Sequence, residues 1–406
     1  MTTGLPGNHR PAADGGQPLF PDGLPLARPE VADPGSVASA AAEILASGVL
    51  TNGPYVRRLE EKAAAYLGVR HCVAVSSCTA GLMLALRVSG LSGDVVLPSF
   101  TFSATAHAVA WNGLRPVFTD IRPDTLLLDP AAAARATGMR TSAILATHTY
   151  GTPCDVESLS MVARRNGIRL FFDAAHAFGS RRGQAMIGGF GDAEVFSLSP
   201  TKVLIAGEGG IIATNDDTLA ERCRYGRDYG NPGDYDTRFV GLNARMSELH
   251  AATALASFSD LEERIARRNQ LAERYRKALD EVAGIDFPAV DEGDRSTYKD
   301  FTVLVDEERF GMDATALAAA LAAEGVQTRR YYSPPVHRQR AYRTVGPSNG
   351  ALPVTDDAAA RVLTLPLWTG MDDELVDRVG VAVARLGGSG GPPGWSPGGS
   401  GARPQG

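Results

Sequence analysis

The sequence predicts an α/β protein: a mostly parallel, seven-stranded sheet covered by helices on both faces, with a smaller α/β unit after it. Three observations carry this prediction. Seven short apolar runs lie between residues 71 and 214, most of them separated by helix or turn signals. The runs are continuously apolar rather than alternating, as in strands buried on both faces. From Met246 the pattern changes to a long helical stretch and then a shorter mixture of strand and helix. A chain of 406 residues has room for both units.

Composition narrows the class of function. Hydrophobic residues make up 44% and charged residues 21%, an ordinary balance for a globular protein with a sizeable core. A net charge of −6 offers no basic surface to nucleic acid or to an anionic membrane. The basic residues of Glu262 to Lys277 alternate with acids, which suits a solvated helix. Cys72, Cys78, Cys154 and Cys223 form no C-x-x-C pair, and three of them adjoin core elements, so free thiols in a reducing compartment are expected. No apolar run reaches membrane-spanning length and the N-terminus lacks a signal-peptide core, so a cytoplasmic location is the expectation. Seven scattered histidines, without H-x-x-x-H spacing or cysteine partners, predict no metal site.

The elements follow in order. Residues 1–19 and 387–406 are polar and rich in Gly and Pro, and are expected to be disordered tails. The large domain is expected over 20–255, and a bridging helix with the small domain over 256–386. Gly35 to Ala46 reads as a helix ending in the turn S-G-V-L-T-N-G-P, and Tyr55 to Leu67 as a second helix. His71 to Ser76 is a strand, after which Ser77-Cys78-Thr79-Ala80 opens an apolar-faced helix. Strand, small hydroxyl turn and helix together leave free backbone N–H groups and a helix dipole that suit a phosphate. A Ser77 or Thr79 side chain capping the helix explains the same turn. Asp94 to Pro98 is a strand, and residues 99–113 read as a helix with Phe100 and Phe102 at its entrance. An aromatic so placed either stacks on a flat ring or joins the core. Strands at Arg115–Thr119, Ser142–His148, Arg169–Phe172, Ala193–Ser197 and Gly210–Thr214 complete the sheet, with a helix at Val156–Asn166. Residues 247–280 read as one connecting helix. The small unit has a strand at Lys299–Val305, a helix at Ala314–Ala323, a strand at Gly325–Tyr332 and a helix at Asp372–Leu386.

Chemistry enters at two strand ends. Asp173 closes the apolar run L-F-F-D, and Lys202 lies in the turn of V-F-S-L-S-P-T-K-V-L-I-A-G-E-G-G. Open α/β sheets bind ligands beyond the carboxyl ends of their strands. A lysine that forms a Schiff base and a carboxylate that holds a pyridinium nitrogen protonated are the two groups pyridoxal phosphate requires. Lys202 and Asp173 are read as that pair. Each alone has a plainer reading, as a solvated lysine and a helix-capping aspartate.

The remaining motifs share one pattern. The stretches S-G-V-L-T-N-G-P, S-S-C-T-A-G-L, P-S-F-T-F-S-A-T-A, H-T-Y-G-T-P-C-D, D-A-A-H-A-F-G, S-L-S-P-T-K, G-E-G-G, G-L-N-A-R-M-S-E-L-H-A-A, P-P-V-H and L-P-L-W-T-G-M stand in this order over residues 20–386. With them the sequence resembles the DegT/StrS-type pyridoxal-phosphate-dependent sugar aminotransferases, which have the aspartate aminotransferase (fold type I) architecture. The resemblance implies pyridoxal 5'-phosphate as cofactor, with Lys202 as its lysine and as proton shuttle. It implies Asp173 at the ring nitrogen, His176 near the ring oxygen, and Phe102 stacked on the ring. Cys78, Thr79 and Ala80, with Ser197, would hold the phosphate. Asn243 would reach the phosphate of a neighbouring subunit, which implies a homodimer with shared active sites. Two positions depart from the pattern: Leu198 and Ser199 replace an aromatic and a histidine common before P-T-K, and Cys78 replaces a common Gly or Ala. A dehydrating subgroup carries histidine at the lysine position, and Lys202 argues against that chemistry.

By the same resemblance, the reaction is amino transfer from an amino acid, L-glutamate foremost, to the ketone of a nucleotide-linked deoxysugar, in antibiotic or surface-glycan amino-sugar biosynthesis. G-E-G-G is closer to the 4-keto-sugar enzymes than to the 3-keto-sugar ones. Arg330, Tyr331 and Tyr332, in an expected strand, and His337, in P-P-V-H, are either substrate contacts or strand-end packing and a solvated loop. The alternatives are a keto-cyclitol or other small ketone, elimination or epimerisation on the same cofactor, and a non-catalytic regulator that binds cofactor or sugar.

Overall fold

The computed structural model describes residues 10–345 and 350–388. Helices α1 (Pro34–Ser47) and α2 (Pro54–Leu67) lead into β1 (His71–Val75). Strand and helix then alternate: α3 (Cys78–Val88), β2 (Asp94–Pro98), α4 (Ser103–Trp111), β3 (Arg115–Thr119), α5 (Pro130–Ala136), β4 (Thr141–Thr147), α6 (Val156–Asn166) and β5 (Arg169–Asp173). A short hairpin, β6 (Arg181–Arg182) and β7 (Ala185–Met186), precedes β8 (Ala193–Ser197), β9 (Gly210–Thr214) and α7 (Asp217–Gly226). The C-terminal part comprises α8 (Glu248–Ser257), α9 (Leu261–Leu279), β10 (Ile285–Asp286), β11 (Phe301–Val305), α10 (Glu307–Phe310), α11 (Ala314–Ala323), α12 (Pro353–Arg361), β12 (Val362–Leu365) and α13 (Asp373–Gly388).

The seven-stranded sheet has the order β1-β9-β8-β5-β4-β2-β3. Pairings from β8 through β3 are parallel, and β9 runs antiparallel to both of its neighbours. Its strands are buried along nearly their whole length, as continuous apolar runs require. One face packs on a core that includes Leu82, Leu84, Phe118 and Phe171, the other on cores that include Leu59, Phe196, Ile144 and Phe172. A second, three-stranded antiparallel sheet, β10-β11-β12, has its own core, which includes Tyr275, Phe301 and Leu317. Among the described residues no helix is long and apolar enough to cross a membrane.

Several expectations are corrected. The connecting helix is two helices, α8 and α9, broken at residues 258–260. Ser257 sits at the break and its hydroxyl accepts the Ile205 amide at 3.1 Å, the kind of outside bond that draws Ser away from helix interiors. The strand expected at Gly325–Tyr332 does not form. The more apolar V-L-T-L of β12 takes the place beside β11, and the 325–332 segment meets β12 through the single bridge Arg329–Thr364. The strand expected from Lys299 begins at Phe301, after the charged Lys299-Asp300 pair. The N-terminal tail expected to be disordered through residue 19 is ordered from Arg10. The Ala12 and Leu19 amides donate to the Glu324 carboxylate at 2.7 and 2.8 Å. Leu19, Phe20 and Leu24 enter the core of the C-terminal unit, so the packing does not follow a boundary at residue 20. Helix α13 runs to Gly388, two residues into the expected C-terminal tail; the disorder expected for residues 1–9 and 389–406 lies outside the described residues.

Candidate active site

The carboxyl ends of β1, β2, β4, β5 and β8 open onto one cavity of about 310 Å³, where an open α/β sheet binds its ligands. Asp173, Lys202 and His176 all line it.

Asp173 ends β5 and is buried. Its Oδ1 accepts the Ala175 amide at 3.1 Å, and its Oδ2 accepts the Thr105 hydroxyl at 2.7 Å. Thr101 extends this chain, at 2.8 Å from Thr105 and 3.0 Å from Thr147. Burial pushes the Asp173 carboxyl above its usual range, while the Thr105 and Ala175 hydrogen bonds and the nearby Lys202 charge pull it back. Behind it, His148 stacks on Phe172 with ring centroids 4.9 Å apart. His148 Nδ1 accepts the Cys154 amide at 2.9 Å, so Nε2 carries the proton and donates it to buried Glu194 at 3.1 Å.

Lys202 follows β8 in a tight turn closed by its own amide donating to the Ser199 carbonyl at 3.0 Å. Its ammonium is pushed down to about 8, first by burial and next by the charge of Lys299. An amine so tuned gives up its proton near neutral pH, as a proton shuttle must. His176 Nδ1 is buried and has no hydrogen-bond partner among the described residues. Burial, with the charges of Lys202 and Lys299, holds the His176 ring well below its usual titration range, so it is neutral at pH 7.

The N-terminus of α3 closes one end of the cavity. Ser77 caps it, accepting the Ala80 amide at 3.1 Å, and the Gly81 amide bonds the Ser77 carbonyl at 3.0 Å. Among the described residues the Cys78 and Thr79 amides have no acceptor, so two N–H groups remain for an anion and Ala80 supplies none. The capping and anion-binding readings of this turn therefore hold together. The Cys78 side chain points into the core, donating to the Val195 carbonyl at 3.4 Å. Ser197 lines the cavity and bonds the Ser199 hydroxyl at 3.3 Å. Phe102, 57% exposed at the start of α4, forms part of the rim.

Two expected residues lie elsewhere, and one belongs to the wall. Tyr331 lines the cavity, its carbonyl accepting the Tyr150 hydroxyl. His337 does not reach it: the ring is buried, with Nδ1 2.6 Å from the Ser99 hydroxyl and Nε2 3.2 Å from Asp356. It ties the end of β2 to α12 and is a packing residue. Asn243 is exposed, bridged to Asp228, and outside the cavity of its own chain. Tyr332, expected beside Tyr331 as a candidate substrate contact, also lines the cavity, whereas sequence reasoning missed Thr105, Lys299 and Asp300. For Lys299 and Asp300 the sequence shows only a charged pair against an apolar strand, which carries no signal of a site.

A model of the DegT/DnrJ/EryC1/StrS aminotransferase family matches residues 35–384. The chain belongs to that family. It is 36% identical over 356 residues to the spore coat polysaccharide biosynthesis protein SpsC of Bacillus subtilis (strain 168), covering 84% of this chain and 92% of that protein. It is 38% identical over 347 residues to the erythromycin biosynthesis sensory transduction protein EryC1 of Saccharopolyspora erythraea, covering 85% and 93%. The fold superimposes on DesI, solved in the presence of its TDP-sugar product, with a TM-score of 0.87 at 40% identity over 92% of this chain and 95% of that one. It superimposes on S. venezuelae DesV, solved in complex with a ketimine intermediate, with a TM-score of 0.82 at 34% identity over 86% and 94%. The chain therefore has the fold type I architecture of the DegT/DnrJ/EryC1/StrS enzymes and is a pyridoxal-phosphate-dependent aminotransferase.

Proposed function

We propose that this enzyme moves an amino group from an amino acid, L-glutamate foremost, to the ketone of a nucleotide-linked deoxysugar in amino-sugar biosynthesis. The observation that carries the reading is that one cavity is lined by both a lysine amine lowered to about 8 and a buried, hydrogen-bonded carboxylate, in a chain 40% identical to DesI.

The donor set fits pyridoxal phosphate. The two unpaired amides at the start of α3 suit its phosphate, Asp173 suits its ring nitrogen, and the unpartnered Nδ1 of His176 suits a polar group on its ring. Bound there, the cofactor supplies an aldehyde that accepts the amino group and a protonated ring that draws electrons from the reacting carbon. Asp173, ionised, holds that ring proton. Lys202 Nζ would move a proton between the reacting substrate carbon and the cofactor, away from the donor carbon with the amino acid and toward the ketone-derived carbon in the reverse half of the reaction. Phe102 supplies a flat apolar surface at the rim. The exposed position of Asn243, away from its own cavity, supports its use by a second subunit in a homodimer.

The test is direct. L-Glutamate should shift the visible absorption of the holoenzyme toward the amine form of the cofactor. Nucleotide-linked 3- and 4-keto deoxysugars should then restore it and yield a product of amine mass. A keto-cyclitol reacting in their place would move the assignment to that class. A product lighter by one water would point to elimination. No spectral change with any amino donor would sink the proposal.

A further inference from the structure

Lys299 and Asp300 stand in the cavity wall together with Lys202. Lys299 Nζ donates to Asp300 Oδ1 at 2.7 Å, and the two side chains are only 9% and 5% exposed. An ammonium has three donors, and this bond uses one. Lys299 Nζ also lies 5.5 Å from the centre of the Tyr331 ring, which flanks it. The other oxygen of Asp300, Oδ2, is buried and has no partner among the described residues. A carboxylate oxygen without a partner in a protein interior is costly. The backbone fixes the pair from both sides: the Lys299 amide donates to the Tyr150 carbonyl at 2.9 Å, and Arg268 donates to the Tyr298 and Lys299 carbonyls at 3.1 and 3.5 Å. The couple thus presents one cationic and one anionic group to the same small space.

An amino acid carries the same two charges in reverse. Its α-carboxylate needs a cation, and among the described residues lining the cavity there is no arginine. Lys202 is the amine the reaction itself occupies. Arg268, a buried guanidinium outside the cavity lining, places its Nη1 on backbone carbonyls, including that of Leu367 at 3.4 Å. Among this chain's own described residues lining the cavity, Lys299 is the cation that remains. We infer that the Lys299–Asp300 couple is the docking site of the amino donor: Lys299 holds the α-carboxylate of the zwitterion, and Asp300 Oδ2 receives its α-ammonium before the nitrogen is passed on. This inference rests on the aminotransferase reading above and names the half of the site that selects the donor.

The test needs no keto-sugar. With holoenzyme and L-glutamate alone, the concentration giving a half-maximal change of the visible band is measured for wild type, Lys299→Met, Lys299→Arg and Asp300→Asn. Removing one member of a buried charge pair at a binding site should raise it about thirtyfold or more in Lys299→Met, while Lys299→Arg stays within a few-fold of wild type. Isoglutamine, whose α-carboxylate is an amide, should be a far weaker donor than glutamate for wild type, and that ratio should collapse toward one in Lys299→Met. Binding of unreactive glutarate, followed by calorimetry, gives a second readout. Glutarate has carboxylates and no ammonium, so Lys299→Met should weaken it. Asp300→Asn should weaken glutamate while leaving glutarate unchanged or tighter. The unliganded visible band of each variant checks that the holoenzyme has formed. Should Lys299→Met fail that check, the wild-type comparison and Asp300→Asn still decide. A wild type that does not discriminate glutamate from isoglutamine, a Lys299→Met protein that keeps the wild-type ratio, or an Asp300→Asn protein that weakens both ligands equally would overturn the inference. A wild type whose band no amino acid changes would instead overturn the aminotransferase reading, and this inference with it.

Discussion

Thr105 donates its hydroxyl hydrogen to Asp173 Oδ2 at 2.7 Å, and this bond opposes the burial that pushes the carboxyl above its usual range. Hydrogen bonds to ionised groups contribute about 1.5–3 kcal/mol. Thr105→Val keeps the shape and removes the donor, so Asp173 should hold its proton to higher pH and answer a ring nitrogen less well. Cofactor affinity should fall about tenfold or more by that same range. Absorbance titration of apoenzyme with pyridoxal phosphate measures it, and an unchanged dissociation constant would place the ring nitrogen elsewhere.

Lys202 sets a pH dependence of apoenzyme stability. Its ammonium titrates near 8 in the folded chain and at 10.5 when unperturbed. Below pH 8 both states carry the proton, and the folded state bears the full cost of an enclosed ammonium. Between 8 and 10.5 the unfolded chain binds more protons, so stability rises with pH. Above 10.5 the difference is gone. Lys202→Met should therefore make the apoenzyme more stable at pH 7, by up to roughly 3 kcal/mol. That gap should close by about pH 10.5, read as denaturant midpoints of the two proteins across pH.

The reach of the sequence follows from which forces are local. Continuous apolar runs are local, and all seven strands of the large sheet were legible from them. Asp173 and Lys202 were legible because a strand end and a glycine-rich turn announce themselves in the chain. Lys299 and Asp300 were not, because the C-terminal unit brings them to the cavity, and on their own they look like a polar strand margin. His337 misled for the same reason: nothing in P-P-V-H says that Ser99, 238 residues earlier, holds its ring. The break between α8 and α9 likewise reflects a tertiary partner, the Ile205 amide on the Ser257 hydroxyl.

Gly210 opens β9 where β9 passes under the start of α3. A Cβ at this position would lie 2.6 Å from the Cys78 nitrogen and 2.7 Å from the Ser77 carbonyl carbon, both backbone atoms. Gly210 is also paired on both sides, with Val75 and Ser197, so the strand has little freedom to retreat. Gly210→Ala should therefore displace the two free amides of α3 rather than the sheet. Inorganic phosphate competes for the same amides and gives a second reading. Both pyridoxal phosphate and phosphate should bind at least about tenfold more weakly, the scale expected when charge-assisted hydrogen bonds are lost. Loss confined to the cofactor, with phosphate affinity intact, would mean the phosphate is held elsewhere.

Glu248, 1% exposed, is the carboxylate on which the N-terminal helices turn. Its Oε1 accepts the Gly53 and Val56 amides at 2.8 and 3.0 Å, and its Oε2 accepts the Tyr55 amide at 2.8 Å. These amides belong to the residue preceding α2 and to its first turn, where Gly53 supplies no side-chain cap. The charge also faces the positive end of the helix dipole. Glu248→Gln leaves the size unchanged but turns one oxygen into a donor. Whichever way the amide lies, at least one buried N–H then meets another N–H. A buried donor left unsatisfied costs about 1–3 kcal/mol, and the lost charge adds to it. Glu248→Gln should lower the denaturant midpoint accordingly, and Glu248→Asp, too short to reach all three amides, should do the same. Amide hydrogen exchange should locate the loosening at residues 53–59, and protection there equal to wild type would show that α2 is held by its apolar face alone.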